Sequence, residues 1–248
     1  MVSYKSNQLC KHFNKVKYSV FSVNSTFLYE KVLPDLNSSL IPYLTNYWTF
    51  NNDLKDVISG VTLSGGSTTG KSFSIDRMNK DSSALYLQNA YYNFPSGVYI
   101  YGDCTISVWV KLRSLAPWAS FLTLATSSGI FVSDSFWFSL SYDYGTRPCL
   151  YACNIHSVSP IGLSIGKWHH IAYTFAGSTS TIYIDGKMAI QSPNHCSVPK
   201  VVRVFSSLGA QNHVGSIAWL PDSDFDDLKI FNKTLSLQEI QDDMNTYY

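Results

Sequence analysis

Apolar and polar side chains alternate most regularly in the stretch 167–187. The apolar positions of its two runs are Ile171, Tyr173 and Phe175, and then Ile182 and Ile184. A period of two is typical of strands that bury one face. Asp185–Gly186 follows the second run and predicts a type I′ hairpin turn, because both central residues of that turn need a positive φ. The stretch therefore predicts a three-stranded antiparallel meander that continues into Met188–Ala189–Ile190.

Shorter segments with a similar pattern lie before and after this meander. Thr105–Lys111 places Ile106, Val108 and Val110 on one face of a strand and Trp109 on the other. Further strands are predicted at Tyr47–Phe50, Ala84–Leu87, Ser120–Ala125, Ile130–Val132, Phe136–Tyr142, Leu150–Cys153, Val201–Phe205 and Phe225–Asn232. Short strands separated by turn residues are typical of β-sandwiches.

A short helix is predicted at the C-terminus, ending near Asn245. Ser236 and Glu239 have the spacing of a capping box, in which the serine hydroxyl accepts from the backbone N–H of the glutamate and the carboxylate reaches back. Charged residues make up 14% of the chain and aromatic residues 15%. This balance favours half-buried strands over amphipathic helices, which need a charged face.

The chain divides into a leader and one domain. Residues 1–40 show no clean alternation, and Pro34 and Pro42 mark their end, so they are predicted to be a leader or linker. Residues 41–248 fit one large all-β domain, since no shift in composition divides them.

Charge and hydropathy exclude two classes of function. A formal net charge of +1 gives no field that would gather phosphate groups, so nucleic-acid binding is not predicted. No apolar run reaches the roughly 18–20 residues that a transmembrane helix needs. The partners expected of this chain are therefore neither nucleic acids nor, through a span of its own, membranes.

Cysteines and asparagine sequons point to an extracellular or cell-surface setting. The five cysteines lack paired C-x-x-C spacing, so a structural zinc site is not supported, and disulfides are open among Cys149, Cys153 and Cys196. Sequons begin at Asn24, Asn37 and Asn232. The N-terminus shows no signal peptide, which leaves a fragment, a misplaced start, or an intracellular protein with accidental sequons as interpretations.

The segments from Tyr43 to Tyr248 resemble, in order, the motifs of the LamG-like jelly-roll, or concanavalin A-like lectin/glucanase, superfamily. Those motifs are Trp48–Phe50 with the turn Asp56–Gly60, the strand Thr105–Lys111, the hairpin Lys167–Lys187, and the strand and helix start Phe225–Ser236. The resemblance implies two antiparallel sheets packed face to face, with ligands bound at loops on a concave side. It leaves function open, since the superfamily includes lectins, adhesion modules and glycosidases.

The residues argue against catalysis. Enzymatic relatives carry their two catalytic glutamates in a Glu-x-Asp-x-x-Glu strand, whereas the glutamates here are Glu30 in the leader and Glu239 in the capping box. We expect no set of aspartates that alternates along a central strand to replace them. His169 and His170 are adjacent on a strand, so they cannot share a face and are predicted to be structural.

The resemblance implies a calcium site, because family members often hold Ca²⁺ with carboxylates and carbonyls. The candidate ligands are Asp53 and Asp56 in the opening turn and Asp226 and Asp227 in the last strand, which a sandwich often brings beside the first. The alternative interpretation is that Asp56 caps its turn before Gly60 and that the other pair flanks a strand.

A sugar site needs a flat aromatic ring and a few fixed polar groups. Trp118 and Trp219 lie in predicted loops, with Tyr142, Tyr144 and Asn212 as candidate neighbours. The other tryptophans, Trp48, Trp109, Trp137 and Trp168, lie on predicted strands or strand starts, where packing in the core is expected.

These observations predict a non-catalytic module that binds a glycan or an extracellular protein partner, with Ca²⁺ as a candidate cofactor. The alternative is a structural cell-adhesion or matrix module that does not bind glycans. A divergent glycoside hydrolase is the third hypothesis, and it would require two carboxylates that converge in a groove.

Overall fold

The computed structural model of the protein describes residues 39–127, 135–193, 196–213 and 216–246, and for residues 212, 213 and 216 it describes the backbone alone. All but the last two residues of the predicted leader lie outside this range. So do Cys10, the sequons at Asn24 and Asn37, and the predicted strand Ile130–Val132. The division of the chain at residue 40 stays a prediction.

The described residues form sixteen strands and one α-helix, after a single 3₁₀ turn at Ile41–Tyr43. The elements are β1 (Leu44–Trp48), β2 (Lys71–Ser74), β3 (Ala84–Gln88), β4 (Tyr92–Asn93), β5 (Cys104–Leu112), β6 (Ser120–Ala125), β7 (Phe136–Ser139), β8 (Cys149–Ala152), β9 (Ile155–Val158), β10 (Trp168–Ala176), β11 (Thr179–Ile184), β12 (Lys187–Ser192), β13 (Phe205–Leu208), β14 (Gln211–His213), β15 (Ser216–Ala218), β16 (Asp222–Phe231) and α1 (Leu237–Met244).

Two antiparallel sheets make up the domain. The eight-stranded sheet has the order β12-β11-β10-β5-β16-β3-β2, and β1 also pairs with β16. The six-stranded sheet has the order β4-β13-β6-β7-β8-β9, and β14 and β15 form a separate two-stranded ribbon. The prediction of an all-β, two-sheet sandwich with a short C-terminal helix is confirmed.

The core lies between the two sheets and follows the predicted alternation. Ile106, Val108 and Val110 of β5 are fully buried there, and Phe138 of β7 meets Tyr173 of β10 edge to face with ring centroids 4.9 Å apart. Burial of such apolar surface is the main favourable term in folding. The faces that point away from this core are called the outer faces below.

The prediction that all strand tryptophans pack in this core is correct for Trp48 and wrong for the other three. Trp48 is fully buried, with its ring 5.2 Å from that of Phe94. Trp109, Trp137 and Trp168 stand on outer faces, because each alternates along its strand with residues that point inward. For Trp109 the sequence pattern already predicted this, because it placed Trp109 on the face opposite Ile106, Val108 and Val110.

The hairpin of β10 and β11 matches its sequence pattern. Asp185 and Gly186 have φ of 50° and 67°, as a type I′ turn requires. The turn from β10 to β11 comprises Gly177 and Ser178, and β11 begins at Thr179. His169 and His170 point to opposite faces as predicted: the imidazole of His169 contacts the Asp185 carboxylate at 2.8 Å, and that of His170 lies 3.3 Å from Asp243.

Strand β16 changes partners along one edge. Its first half pairs with β3 and its second half with β1, while β5 follows its other edge throughout. The register shifts between Asp226 and Lys229, and Asp227 has a left-handed φ of 48°. The first and last strands are therefore neighbours, as expected, and a β-bulge marks the change of partner.

Aspartates do alternate along this central strand, so our expectation that none would is wrong. Asp222, Asp224 and Asp226 share the outer face of β16, with Asp224 opposite Lys111 and Asp226 opposite Trp109. Each carboxylate is bound by donors from neighbouring strands and loops. These are the Tyr86 and Ser114 hydroxyls for Asp222, Arg113, Lys111 and Ser74 for Asp224, and Arg77 for Asp226.

Helix α1 covers part of this outer face through buried charges. Its capping box is formed by Ser236 and Glu239, as predicted. Near its end, Asp243 lies 2.7 Å from the Lys229 ammonium and accepts a hydrogen bond from Ser107 at 2.6 Å. Burial alone would raise the pKa of the Asp243 carboxyl, but its ion pair with Lys229 and its hydrogen bond with His170 outweigh burial and hold that pKa below its usual range. No helix in the described part of the chain is long and apolar enough to cross a bilayer.

A disulfide, Cys153–Cys196, connects the two sheets. Cys153 follows β8 of the six-stranded sheet and Cys196 lies beyond β12 of the eight-stranded sheet, with their Cα atoms 5.8 Å apart. Cys104 and Cys149 are buried free thiols, and burial raises the pKa of each to about 12. Of the three cysteines left open as partners, Cys149 is therefore the free one.

Candidate ligand-binding site

One row of directly paired residues crosses the whole six-stranded sheet. In order from β4 to β9 it comprises Asn93, Ser207, Thr123, Trp137, Tyr151 and His156. Residues that are opposite one another in paired strands share a face of the sheet. The row therefore lies on the outer face, polar from Asn93 to Thr123 and aromatic from Trp137 to His156.

Two loops place further tryptophans over the aromatic half of this row. Trp118 precedes β6 and stacks on Trp137, with ring centroids 5.8 Å apart and planes at 29°. Trp219 precedes β16, 4.9 Å from Trp137 and 5.7 Å from Trp118. Trp137 is only 1% exposed beneath the two partly buried loop tryptophans, which form the upper layer.

Tyr142 and His156 continue the cluster at its rim. The Tyr142 ring lies 4.6 Å from that of Trp118 and 5.6 Å from that of His156, both edge to face. Burial lowers the pKa of His156, against an opposing effect of Asp143, so the imidazole is neutral at pH 7. We call Trp118, Trp137, Trp219, Tyr142 and His156 together the aromatic platform.

The two upper tryptophans adopt an unusual backbone conformation. Trp118 has a φ of 58° and Trp219 a φ of 56°, in the left-handed region that bulky side chains rarely occupy. Such conformations are costly and persist where neighbouring contacts enforce them, which is common at binding sites. The backbone here holds both rings in place at the expense of local stability.

Three buried serines enforce this arrangement. The Ser141 hydroxyl donates to the carbonyl oxygen of Ala116 at 2.6 Å and accepts from the N–H of Ala119 at 2.7 Å, on either side of Trp118. The N–H of Ser120 donates to the Trp219 carbonyl at 2.7 Å, and its hydroxyl accepts from the Trp137 indole N–H at 3.1 Å. The Ser139 hydroxyl donates to the Ser141 carbonyl at 2.9 Å.

Substitution Ser141→Ala is expected to lower the free energy of unfolding by about 1–3 kcal/mol, because it leaves the Ala119 N–H buried without its acceptor. It should also weaken the circular-dichroism couplet of the stacked indoles, since Trp118 loses its anchor. Ser206→Ala is the matched control: Ser206 is 4% exposed and its hydroxyl has no partner among the described residues. Equal losses in the two variants, with an unchanged couplet, would contradict the anchoring role of Ser141.

The structure brings together three of the five predicted ligand-binding residues. Trp118, Trp219 and Tyr142 belong to the platform, whereas Tyr144 is 81% exposed at the tip of a neighbouring turn. Asn212 lies in β14, and its side chain is outside the described part of the structure. Sequence reasoning missed Trp137 and His156. The alternation of Trp137 with the inward Phe136 and Phe138 could have placed it on the outer face.

Of the predicted calcium ligands, the two in the opening turn bind hydrogen-bond donors instead. Asp56 is fully buried, and its carboxylate accepts from the backbone N–H groups of Tyr47 at 2.7 Å and Ile58 at 2.9 Å and from the Asn46 amide at 2.6 Å. Asp53 accepts from the two N–H groups that follow it in the chain. Asp56 thus caps its turn, as the alternative interpretation predicts.

The other two predicted ligands both bind one cation of the protein, Arg77. The Arg77 guanidinium lies 2.5 Å from the carboxylates of both Asp226 and Asp227, and Asp227 also accepts from the Tyr47 hydroxyl at 2.5 Å. Within the described residues, no group of three or more histidine, cysteine, aspartate or glutamate side chains is placed to hold a metal ion. The four aspartates therefore do not fit a calcium site.

Comparison with known proteins relates the chain to one family and several solved structures. The family described as "Concanavalin A-like lectin/glucanases superfamily" matches residues 87–241. Domain 4 of a GH43 extracellular arabinanase from Geobacillus stearothermophilus, solved with arabinotriose, has a TM-score of 0.64 at 21% identity, over 81% of this chain and 98% of that one. No curated protein sequence matches the chain.

Two larger proteins contain a similar fold. A Trypanosoma rangeli sialidase mutant has a TM-score of 0.62 at 13% identity, over 88% of this chain and 37% of the sialidase. The binding domain of Paraclostridial Mosquitocidal Protein 1 has a TM-score of 0.60 at 15% identity, over 82% of this chain and 52% of that one. At these identities the similarity shows a shared fold.

Proposed function

The chain belongs to the concanavalin A-like lectin/glucanases superfamily, and from that premise we propose that it is a non-catalytic module that binds carbohydrate at the aromatic platform. The observation that carries the proposal is the pair of loop tryptophans, Trp118 and Trp219, held in left-handed conformations over Trp137. Indole rings fixed at a surface suit the apolar face of a sugar ring.

Polar groups for sugar hydroxyls surround the platform. Asn154 and His156 are exposed at its edge, and the Asn154 side-chain oxygen accepts from the Tyr151 hydroxyl at 2.9 Å, which orients the amide. On the other side the Arg147 guanidinium lies 5.9 Å from the centre of the Tyr142 ring. A few oriented polar groups beside an apolar surface are the usual composition of a small-ligand site.

The positions of the carboxylates support a role without catalysis. Glycoside hydrolysis needs two carboxyl groups about 5–10 Å apart across the sugar. The three aspartates that alternate along β16 lie on the other sheet, where Arg77, Lys111 and Arg113 bind two of them. Glu239 is committed to the capping box.

The remaining observations support an extracellular or cell-surface setting. The disulfide Cys153–Cys196 requires an oxidising compartment to persist. Asn232, the one sequon asparagine within the described residues, is exposed just after β16. The arabinanase with a domain of this fold is itself described as extracellular and was solved with a sugar ligand.

A glycan-array screen of the wild-type chain and of the double variant Trp118→Ala, Trp219→Ala tests the proposal. We expect wild-type binding and a loss of affinity of at least about tenfold in the variant, as for central aromatic anchors in other interfaces. Trp168→Ala is the control, because Trp168 is a partly exposed tryptophan of the other sheet beside Lys111. Unchanged binding in the double variant would contradict a sugar site at the aromatic platform.

The same array, repeated with EDTA, tests the calcium prediction. Because the four candidate aspartates are bound to donors of the protein, we expect identical binding with and without the chelator. Absence of binding in both conditions would refute the lectin hypothesis and favour the alternative of an adhesion module without glycan binding.

A further inference from the structure

Three neighbouring loops at one end of the sandwich, 113–119, 140–148 and 159–167, expose large apolar side chains. The exposed fractions are 44% for Leu115, 81% for Tyr144, 47% for Ile161 and 50% for Ile165. We call these four residues the loop-tip patch. Single exposed apolar residues are ordinary, but several on one surface usually mark a contact with a partner or a membrane.

Hydrogen bonds between the loops bring the members of the patch together. Leu115, Ile161 and Ile165 are each one or two residues away from a backbone group that forms a hydrogen bond with another loop or with the end of β5. These bonds run from the Ser141 hydroxyl to the Ala116 carbonyl at 2.6 Å, from the Leu163 N–H to the Thr146 carbonyl at 2.8 Å, and from the Gly166 N–H to the Leu112 carbonyl at 2.7 Å. The three loops are therefore held side by side at this end of the sandwich.

The charges on these loops are mainly positive. Arg113, Arg147 and Lys167 are exposed there, against the exposed Asp143. Arg113 also binds the buried Asp224 while 37% of its side chain stays accessible. Apolar tips with flanking basic residues and a tyrosine are the composition of segments that enter the interface of an anionic membrane.

We propose that the loop-tip patch docks on a membrane surface that contains anionic lipids. Leu115, Ile161 and Ile165 enter the boundary between headgroups and acyl chains, while Arg147 and Lys167 contact lipid phosphates. The patch is made of loop tips that project from the domain. A protein partner would need a complementary groove to bury them, whereas a lipid surface deforms around them. Trp118 and Tyr142 of the aromatic platform belong to two of these same loops, so the platform is close to the docking surface.

Vesicle sedimentation with the full chain tests this docking. We expect binding to phosphatidylcholine vesicles that contain about 30% phosphatidylserine, and weaker binding to phosphatidylcholine alone. The triple variant Leu115→Ser, Ile161→Ser, Ile165→Ser should lose at least about tenfold in vesicle affinity. These residues are exposed, so the variant should keep the wild-type circular dichroism.

The matched control is Ile75→Ser with Met78→Ser, two residues that are 49% and 55% exposed on the turn between β2 and β3. We expect this variant to bind vesicles like the wild type. Failure of the wild type to bind anionic vesicles, or equal binding by the triple variant, would overturn the proposal. Neither result bears on the sugar site, because the vesicles contain no glycan.

Discussion

Replacing Asp243 with alanine is expected to lower the free energy of unfolding by about 3–5 kcal/mol, because it removes a buried carboxylate that pairs with a buried lysine. Lys229 is only 1% exposed and lies 2.7 Å from the Asp243 carboxylate. The substitution also removes the acceptor of the buried Ser107 hydroxyl and the partner of His170. Helix α1 should then dock weakly on the eight-stranded sheet.

Urea denaturation followed by tryptophan fluorescence measures this loss. Asp242→Ala is the control, since Asp242 is the preceding residue of the same helix and is only partly buried; we expect a change below about 1 kcal/mol there. The double variant Asp243→Leu, Lys229→Met, which removes both charges, should recover much of the stability. A loss in Asp243→Ala no larger than in Asp242→Ala would contradict the buried ion pair.

The contacts of Asp243 with Lys229 and His170 also predict a dependence on acid. Since they hold the pKa of Asp243 below its usual range, the stability they contribute is complete above the unfolded value of about 3.9 and is lost as the pH falls below it. The wild type should therefore lose stability below this pH more steeply than Asp243→Ala. Parallel curves for the two proteins would assign the acid sensitivity to other groups.

Replacing Arg77 with methionine should also cost about 3–5 kcal/mol, because it leaves two adjacent buried carboxylates at the bulge of β16 without a cation. The guanidinium lies 2.5 Å from both Asp226 and Asp227, donates to the Thr246 carbonyl at 2.9 Å, and lies 4.9 Å from the centre of the Trp109 ring. Arg77 thus connects the turn after β2, the bulge and the end of the chain.

The pH dependence of this variant should have the opposite sign. Burial and the neighbouring Asp227 carboxylate raise the pKa of Asp226 even in the presence of Arg77. Removing the guanidinium removes the one cation that opposes this rise, so Arg77→Met should gain more stability than the wild type as the pH falls from 7 toward about 4. Urea midpoints at both ends of this range measure the effect.

Two further variants make the result specific to the bulge. Arg147→Met is the matched control, because it makes the same substitution at an exposed arginine, where we expect a change below about 1 kcal/mol. Adding Asp226→Asn and Asp227→Asn to Arg77→Met should restore part of the stability and abolish its pH dependence. A loss in Arg77→Met equal to that in Arg147→Met would refute this account.

The candidate site was only partly predictable. Trp118 and Trp219 could be selected because tryptophan in a loop is uncommon in a core, and both lie in the platform. Trp137 and His156 could not be joined to them, since they meet through the pairing of β7, β8 and β9 rather than through spacing in the chain. Similarly, the sequence could not show that Asp226 and Asp227 bind Arg77, because Arg77 is about 150 residues away in the chain. From the sequence alone, the two aspartates are therefore interpreted as metal ligands.

The sequence by itself determined which side chains share a face and where the chain turns. Period-two alternation, Asp185–Gly186 and the capping box of Ser236 and Glu239 act over a few residues, and each has the predicted form. Tertiary structure decided which faces meet. Strand register between distant segments determines the row from Asn93 to His156, the contacts of Arg77 with Asp226 and Asp227, and the ion pair between Asp243 of α1 and Lys229. Register is set by the packing of both sheets at once, so no local pattern encodes it.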